Sequence, residues 1–343
     1  MIKTNTTRID LIKQIEEERG STLICYITGD RQKFETKIAD DIIPILHRHL
    51  ELIGYSDRID LLLYTKGGDI LTPIRIVKLI KNYCSKFSVL IPYYAHSAGT
   101  LIALGADEIV MHKLGELTPV DPSTTHPFNP RDPVDKKLIP ISVEDISSYL
   151  KLAKDKGRVR ESQMHEIFQN LTRHTYEDLK HLHPLALGNV YRGQRIIKDL
   201  AEKLLSIHIQ KNGKNNKLIK KIVNEITSNI CIHNYPINRD EAKKLGIKVH
   251  IPNENLEKLL YSLFETYLEE LQLNRPFNPF EVLGQETSIK YKYGGAFIES
   301  RAALDVFFFN LEINLFVPQA PPGQIPTPNI NVTPIGLAWE RVE

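Results

Sequence analysis

The chain has 343 residues, with 42% hydrophobic and 25% charged residues and a formal net charge of +2. That composition is ordinary for a globular protein large enough to bury a core without staples, as one enlarged domain or two. A charge so near zero excludes the general electrostatic case for nucleic acid, and no apolar run approaches the ~20 residues that span a bilayer.

Residues 1–20 are polar and charged, read as a leading helix without a signal peptide. Thr22 to Thr28 is β-branched and apolar and ends in Gly29-Asp30, the pattern of a first strand. Ile38, Ile42, Leu46, Leu50 and Ile53 then recur on one helical face, with Pro44 as a kink or restart and Gly54 as the C-cap. Ile59 to Thr65 is a nearly all-apolar second strand, as expected where both faces are covered, and it ends in Lys66-Gly67-Gly68-Asp69. A helix over 70–83 turns Ile70, Ile74, Val77 and either Leu79 or Ile80 to the sheet, with Pro73 in its first turn. A buried strand over 88–95, a helix over 98–106 and a strand over 108–112 follow. Strands and helices alternating with short links predict a parallel sheet built from right-handed crossovers.

Chemistry in such sheets gathers at the carboxyl ends of the strands. Two strand ends here carry unusual residues. Ser97 stands on a sharp strand-to-helix turn, which suits a nucleophile as well as a helix N-cap. Gly67-Gly68 lies one crossover earlier. Adjacent glycines let backbone N–H groups approach a ligand and form an oxyanion hole, or simply make a tight turn.

These stretches carry a resemblance. Tyr64 to Asp69, Tyr94 to Thr100, Gly105 to Met111 and Thr118 to Pro122 resemble the serine dehydrogenase proteinase family. That family belongs to the Clp/crotonase superfamily, with signal peptide peptidase A and ClpP as relatives. His183 to Arg192, His233 to Ile237 and Glu241 to Ile247 extend the resemblance, over roughly residues 20–250. Thr118 stands where the family pattern has glycine, His96 where it has methionine, and Asn234 where it has aspartate.

The resemblance implies an α/β Clp/crotonase-like fold, in which a parallel sheet of repeated β-β-α and βαβ units carries helical insertions. It also implies an ATP-independent serine endopeptidase without cofactor or metal, acting on a peptide or protein substrate as a homo-oligomer. Ser97 would be the nucleophile, and Gly67, Gly68 and Ala98 would supply the oxyanion hole. The general base stays open between Lys151 and Lys154, on a helical stretch over 143–156, and His233. A lysine base needs desolvation to lower its pKa, whereas histidine titrates in range unaided. A crotonase-like acyl or thioester enzyme and an inactive scaffold are the alternatives, because one fold hosts several chemistries.

The expected organisation is a leader (1–20), a peptidase domain (21–252) with an insertion or lid over 123–182, a helix and linker (253–287), and a C-terminal β extension (288–343). Within 143–182 two helices join at Gly157. A helix over 185–209 carries the stripe Val190, Ile197, Leu200, Leu204 and Ile207, and Lys211 to Lys221 reads as a basic surface turn. In the extension Gly294-Gly295 is expected to turn the chain, Phe307, Phe309, Leu311, Ile313 and Leu315 form one face of a strand, and Pro318 to Pro334 is extended.

Cys25 and Cys84 sit in apolar surroundings and read as packed thiols. With the leader, they point to the cytoplasm and leave peripheral membrane association open. His47/His49 and His181/His183 lack metal-ligand spacing on a helix, and Gly67-Gly68 lacks the spacing of a phosphate loop.

Overall fold

The computed structural model describes residues 5–120, 127–132, 134–139, 141, 143–172, 183–210, 212–230, 232, 234–316 and 328–342. The chain divides into two compact units, one formed by Met1–Leu117 with Ile237–Glu343 and the other by Thr118–Pro236.

In the first unit, α1 (Thr6–Arg19) is capped by Asn5, whose side chain accepts from the N–H groups of Thr7 and Arg8. Next come β1 (Thr22–Thr28), α2 (Ile42–Ile53), β2 (Ser56–Tyr64), α3 (Thr72–Lys81), β3 (Cys84–Ile91), β4 (Tyr94–Ala95), α4 (Ala98–Leu104), β5 (Glu108–Met111) and β6 (Glu116–Leu117). The second unit holds α5 (Val143–Asp155), α6 (Met164–Thr172), α7 (Pro184–His208) and α8 (Gly213–Asn224). The chain re-enters the first unit with β7 (Ile237–Asn238), α9 (Arg239–Leu245), β8 (Val249–His250), α10 (Glu254–Glu270), α11 (Pro279–Leu283), β9 (Ser288–Ser300), β10 (Ala303–Phe316) and β11 (Asn329–Val342).

Among the described residues the main sheet runs β11-β10-β9-β1-β2-β3-β5-β8. The segment β1-β2-β3-β5-β8 is parallel, as the crossovers predict. β9, β10 and β11 add an antiparallel flank to the β1 edge. A small sheet, β4-β6-β7, lies beyond β3. Ile59 and Leu61 through Tyr64 are all buried, which accounts for the unbroken apolar run of β2. The main core joins Ile12 and Ile15 of α1 and Leu260, Leu263, Phe264 and Tyr267 of α10 to β1, β2, β9 and β10. Each such side chain contributes about 1.5–3 kcal/mol on burial.

Several expectations need correction. The helix expected from Ile38 starts at Ile42, which leaves Pro44 in the first turn, where it breaks no intrahelical bond. Ile38 instead forms a parallel bridge with Gly68. Helix α3 begins at Thr72, whose N–H the Asp69 carboxylate accepts, and Ile76 rather than Ile74 is buried with Val77 and Ile80. The strand over 88–95 is two strands in different sheets, divided near Pro92. Most of Lys211 to Lys221, read as a basic turn, belongs to helix α8: Asn212 caps it, and Ile219, Ile222 and Val223 bury one face while lysines and asparagines face water. Gly294-Gly295 does not turn the chain. β9 runs straight through it, with a register shift opposite Phe307/Phe308, and the hairpin turns at Arg301-Ala302. Gly295 is there because Phe309 covers it, within 2.3 Å of where a Cβ would stand.

Other expectations agree with the structure. Val190, Ile197, Leu200 and Leu204 are buried on α7. Phe309, Leu311 and Ile313 face a second small core around Phe34, Leu283 and Tyr293. Leu315 is exposed, however, so that face ends at Ile313. Cys25 and Cys84 are buried free thiols. Of the stretch expected to be extended, 318–327 lies outside the described residues, and Asn329 onward is strand β11, which puts Pro334 on an edge strand, where proline is tolerated.

Candidate active site

The two strand ends singled out in the sequence meet in the first unit. The last turn of chain after β2 is stitched on one edge to β4: Thr65 N–H donates to Tyr94 O (2.9 Å), and His96 N–H donates to Thr65 O (3.0 Å). On the other edge it pairs with Ile38, which donates its N–H to Gly67 O (2.9 Å) and accepts from Asp69 N–H (2.8 Å). Thr65 therefore faces β4 while the Gly67 carbonyl faces Ile38. A regular strand would turn both residues the same way, and the φ of 102° at Gly67 breaks that alternation. With Gly67 O and Asp69 N–H both directed at Ile38, the Gly68 N–H points to the opposite edge, where Ser97 lies.

Both glycines are required by space as well as by φ. A Cβ on Gly67 would stand 2.8 Å from the Ser97 Cβ and 3.1 Å from His96 O. A Cβ on Gly68 would stand 2.1 Å from Ile38 O. Gly99, on the first turn of α4, lets that helix approach the β2 end, since its Cβ would stand 2.6 Å from the Thr65 Cγ2.

Ser97 has φ 51° and ψ −111°. Gly99 N–H donates to His96 O at 2.8 Å, closing a four-residue turn around it. These are the dihedrals of the second residue of a type II′ turn, a position normally given to glycine. Serine held there costs on the order of 1–3 kcal/mol. Strain of this kind lifts a side chain clear of both the strand and the helix it joins. An ordinary N-cap would have extended dihedrals and would accept from the second or third helical N–H; Ser97 has no such cap bond. Ala98 follows as the first helical residue, whose N–H no turn of the helix can satisfy.

The three donors expected around the serine are not alike. Gly67 N–H donates to Thr65 Oγ1 at 3.0 Å. Gly68 and Ala98 remain as the two N–H groups at the serine turn.

A polar cluster flanks it. His96 Nε2 lies 3.5 Å from Glu116 Oε2, and burial raises the Glu116 carboxyl above its ordinary pKa. Lys66 Nζ is 2.6 Å from Asp30, which also accepts from the Tyr64 hydroxyl at 3.0 Å. Tyr64, Tyr93 and Tyr94 stack beside them.

The candidate bases are placed differently. Lys151 and Lys154 lie on α5 of the second unit, both exposed, and Lys154 pairs with Glu161 at 2.9 Å. His233 lies outside the described residues. No group of three metal-ligating side chains occurs among the described residues.

A Ser-His-carboxylate arrangement away from Ser97 was not legible in the sequence. His49 Nδ1 is 3.1 Å from Ser300 Oγ, and its Nε2 is 2.9 Å from Asp305 Oδ2. All three side chains are buried, Ser300 also accepts from Ala302 N–H, and Asp305 is held by Arg341 at 2.7 Å. It is a structural tie between α2 and the β9–β10 hairpin. The neighbouring histidines His47 and His49 thus differ: His47 is exposed and pairs with Glu51.

A family profile described as ClpP-like SDH-type serine proteinase matches residues 1–188. The uncharacterized protein MJ1495 of Methanocaldococcus jannaschii is 28% identical over 268 residues, covering 76% of this chain and 76% of its own. The uncharacterized protein MJ0137 of the same organism is 26% identical over 274 residues, covering 77% and 80%. Among solved structures, ClpP1 from Listeria monocytogenes aligns with a TM-score of 0.35 at 14% identity, over 71% of this chain and 97% of its own. A mutant of the membrane-bound stomatin-specific protease 1510-N aligns with a TM-score of 0.25 at 20% identity, over 38% and 64%. Scores this low give no residue correspondences.

Proposed function

The chain belongs to the ClpP-like SDH-type serine proteinase family, and on that premise we propose that it cleaves peptide bonds with Ser97 as nucleophile. The observation that carries the reading is the strained dihedral pair at Ser97, beside Gly67 and Gly68. A turn that prefers glycine keeps a serine at a cost in stability, as functional positions do.

A base takes the Oγ proton as Oγ attacks the peptide carbonyl carbon. The carbonyl oxygen becomes an oxyanion, which the N–H groups of Gly68 and Ala98 stabilise. Removing one such donor ordinarily costs about 100–1,000-fold in rate. The C–N bond then breaks, and the base returns the proton to the departing amine. Water attacks the resulting ester by the same route in reverse and frees the serine. Lys151, Lys154 and His233 are the candidates for the base. The enzyme needs no ATP, works in the cytoplasm and acts as a homo-oligomer, which sedimentation tests.

The test is hydrolysis. Unstructured casein and a panel of acyl-CoA thioesters are offered to the purified chain. Casein cleavage that disappears in Ser97→Ala supports the reading. Thioester turnover without casein cleavage moves the protein to crotonase-like chemistry.

A further inference from the structure

The Gly67-Gly68 pair presents a difficulty. Both residues have positive φ, 102° and 154°, and glycine moves among backbone states more freely than any other residue. A donor on such a segment is useful only if its peptide planes are fixed. Ile38 pins the Gly67–Gly68 plane from the far edge by donating to Gly67 O. The Lys66–Gly67 plane is pinned by one side chain. Thr65 Oγ1 accepts the Gly67 N–H at 3.0 Å, and it is itself held by the Thr28 hydroxyl, which donates to it at 2.9 Å. Thr65 and Thr28 are buried, and the Thr65 backbone makes the two hydrogen bonds that attach β4 and hence the serine turn.

We propose that Thr65 is a positioning residue for the Ser97 reaction: its hydroxyl oxygen fixes the Gly67 N–H and so holds the Gly68 N–H facing the serine turn. The inference rests on the reading of Ser97 as nucleophile. Valine at this position keeps the branched shape and the backbone bonds but removes the acceptor. Among the described residues, Gly67 N–H then loses its acceptor and the Thr28 hydroxyl is left with Tyr64 O alone (3.4 Å), so the Lys66–Gly67 plane can reorient and Ile38 is the one tie left on the Gly67–Gly68 plane. Serine keeps the acceptor and loses only the methyl group.

The experiment measures labelling of the full chain by a fluorophosphonate over a range of concentrations, giving a maximal rate and a half-saturating concentration. Thr65→Val lowers the maximal rate about 100-fold, as a donor misplaced by about 1 Å would, with half-saturation within about threefold of wild type. Thr65→Ser stays within about threefold of wild type in both. A Thr65→Val chain labelled at the wild-type rate overturns the proposal, as does a Thr65→Ser chain as slow as Thr65→Val. If Thr65→Val does not fold, Thr28→Val decides: about a tenfold loss supports the clamp, and an unchanged rate overturns it. A wild-type chain that takes no label overturns the nucleophile reading and the clamp together, so the two failures are distinct.

Discussion

Replacing Ser97 by glycine and by alanine separates backbone strain from everything else the serine does. Both variants lose the hydroxyl and whatever it binds. Only glycine relieves a turn with φ 51° and ψ −111°. The strain is worth on the order of 1–3 kcal/mol. Glycine returns about 0.5–1 kcal/mol of that through the greater freedom of the unfolded chain. Ser97→Gly is therefore about 1 kcal/mol more stable than Ser97→Ala. Urea unfolding followed at the single tryptophan, Trp339 on β11, reads the difference. With a slope near 3 kcal/mol/M, the midpoint of Ser97→Gly lies about 0.3 M above that of Ser97→Ala, with equal slopes. A glycine variant equal to or less stable than the alanine variant would refute the strained turn and return Ser97 to the role of an ordinary helix cap.

Other predictions follow from the same geometry. Gly68→Ala forces a Cβ to within 2.1 Å of Ile38 O, so Ile38 must leave the bridge; thermal melting should show a loss of about 2–4 kcal/mol, and activity should vanish with it. Arg8→Ala strands the buried Glu299 carboxylate, which Arg8 Nε meets at 2.7 Å; a cost of about 3–5 kcal/mol in urea is expected, against a smaller one for Arg8→Met combined with Glu299→Gln. Burial pushes the Asp305 carboxyl up, but hydrogen bonds from His49 and Arg341 outweigh it and hold the pKa below its ordinary value. The folded chain thus keeps this carboxylate charged where the unfolded chain has already taken up a proton. Its contribution is whole above about pH 4 and is lost as pH falls through the folded value. Asp305→Asn should flatten that part of the acid unfolding curve; an unchanged slope would show that Asp305 is not linked to it.

The parallel half of the sheet was legible because its strands are apolar runs that end at glycine or at a helix start. β2 carries the unbroken apolar run Leu61 to Leu63 after Asp60. Ser97 and Gly67-Gly68 were legible because strand ends are where such sheets place chemistry. What stayed hidden depends on partners distant in sequence. Ile38 looks like the first apolar residue of a helix, and only its bridge to Gly68 shows its use. Gly294-Gly295 looks like a turn because two glycines usually are one; here Gly295 makes room for Phe309. Lysines and asparagines mask α8, whose burial rests on Ile219, Ile222 and Val223 alone. Thr65 carries no signal in the sequence, since a threonine closing an apolar strand is commonplace. Its role lies in where the hydroxyl points. Neither strand ends nor local spacing single out one general base among Lys151, Lys154 and His233.

The central claim, that Ser97 is the nucleophile, is tested most directly by intact-mass analysis after reaction with a fluorophosphonate. Wild type should gain one adduct, mapped by peptide sequencing to Ser97, and Ser97→Ala should gain none. An adduct that persists in Ser97→Ala, or one that maps to Ser300 or another serine, would contradict the account.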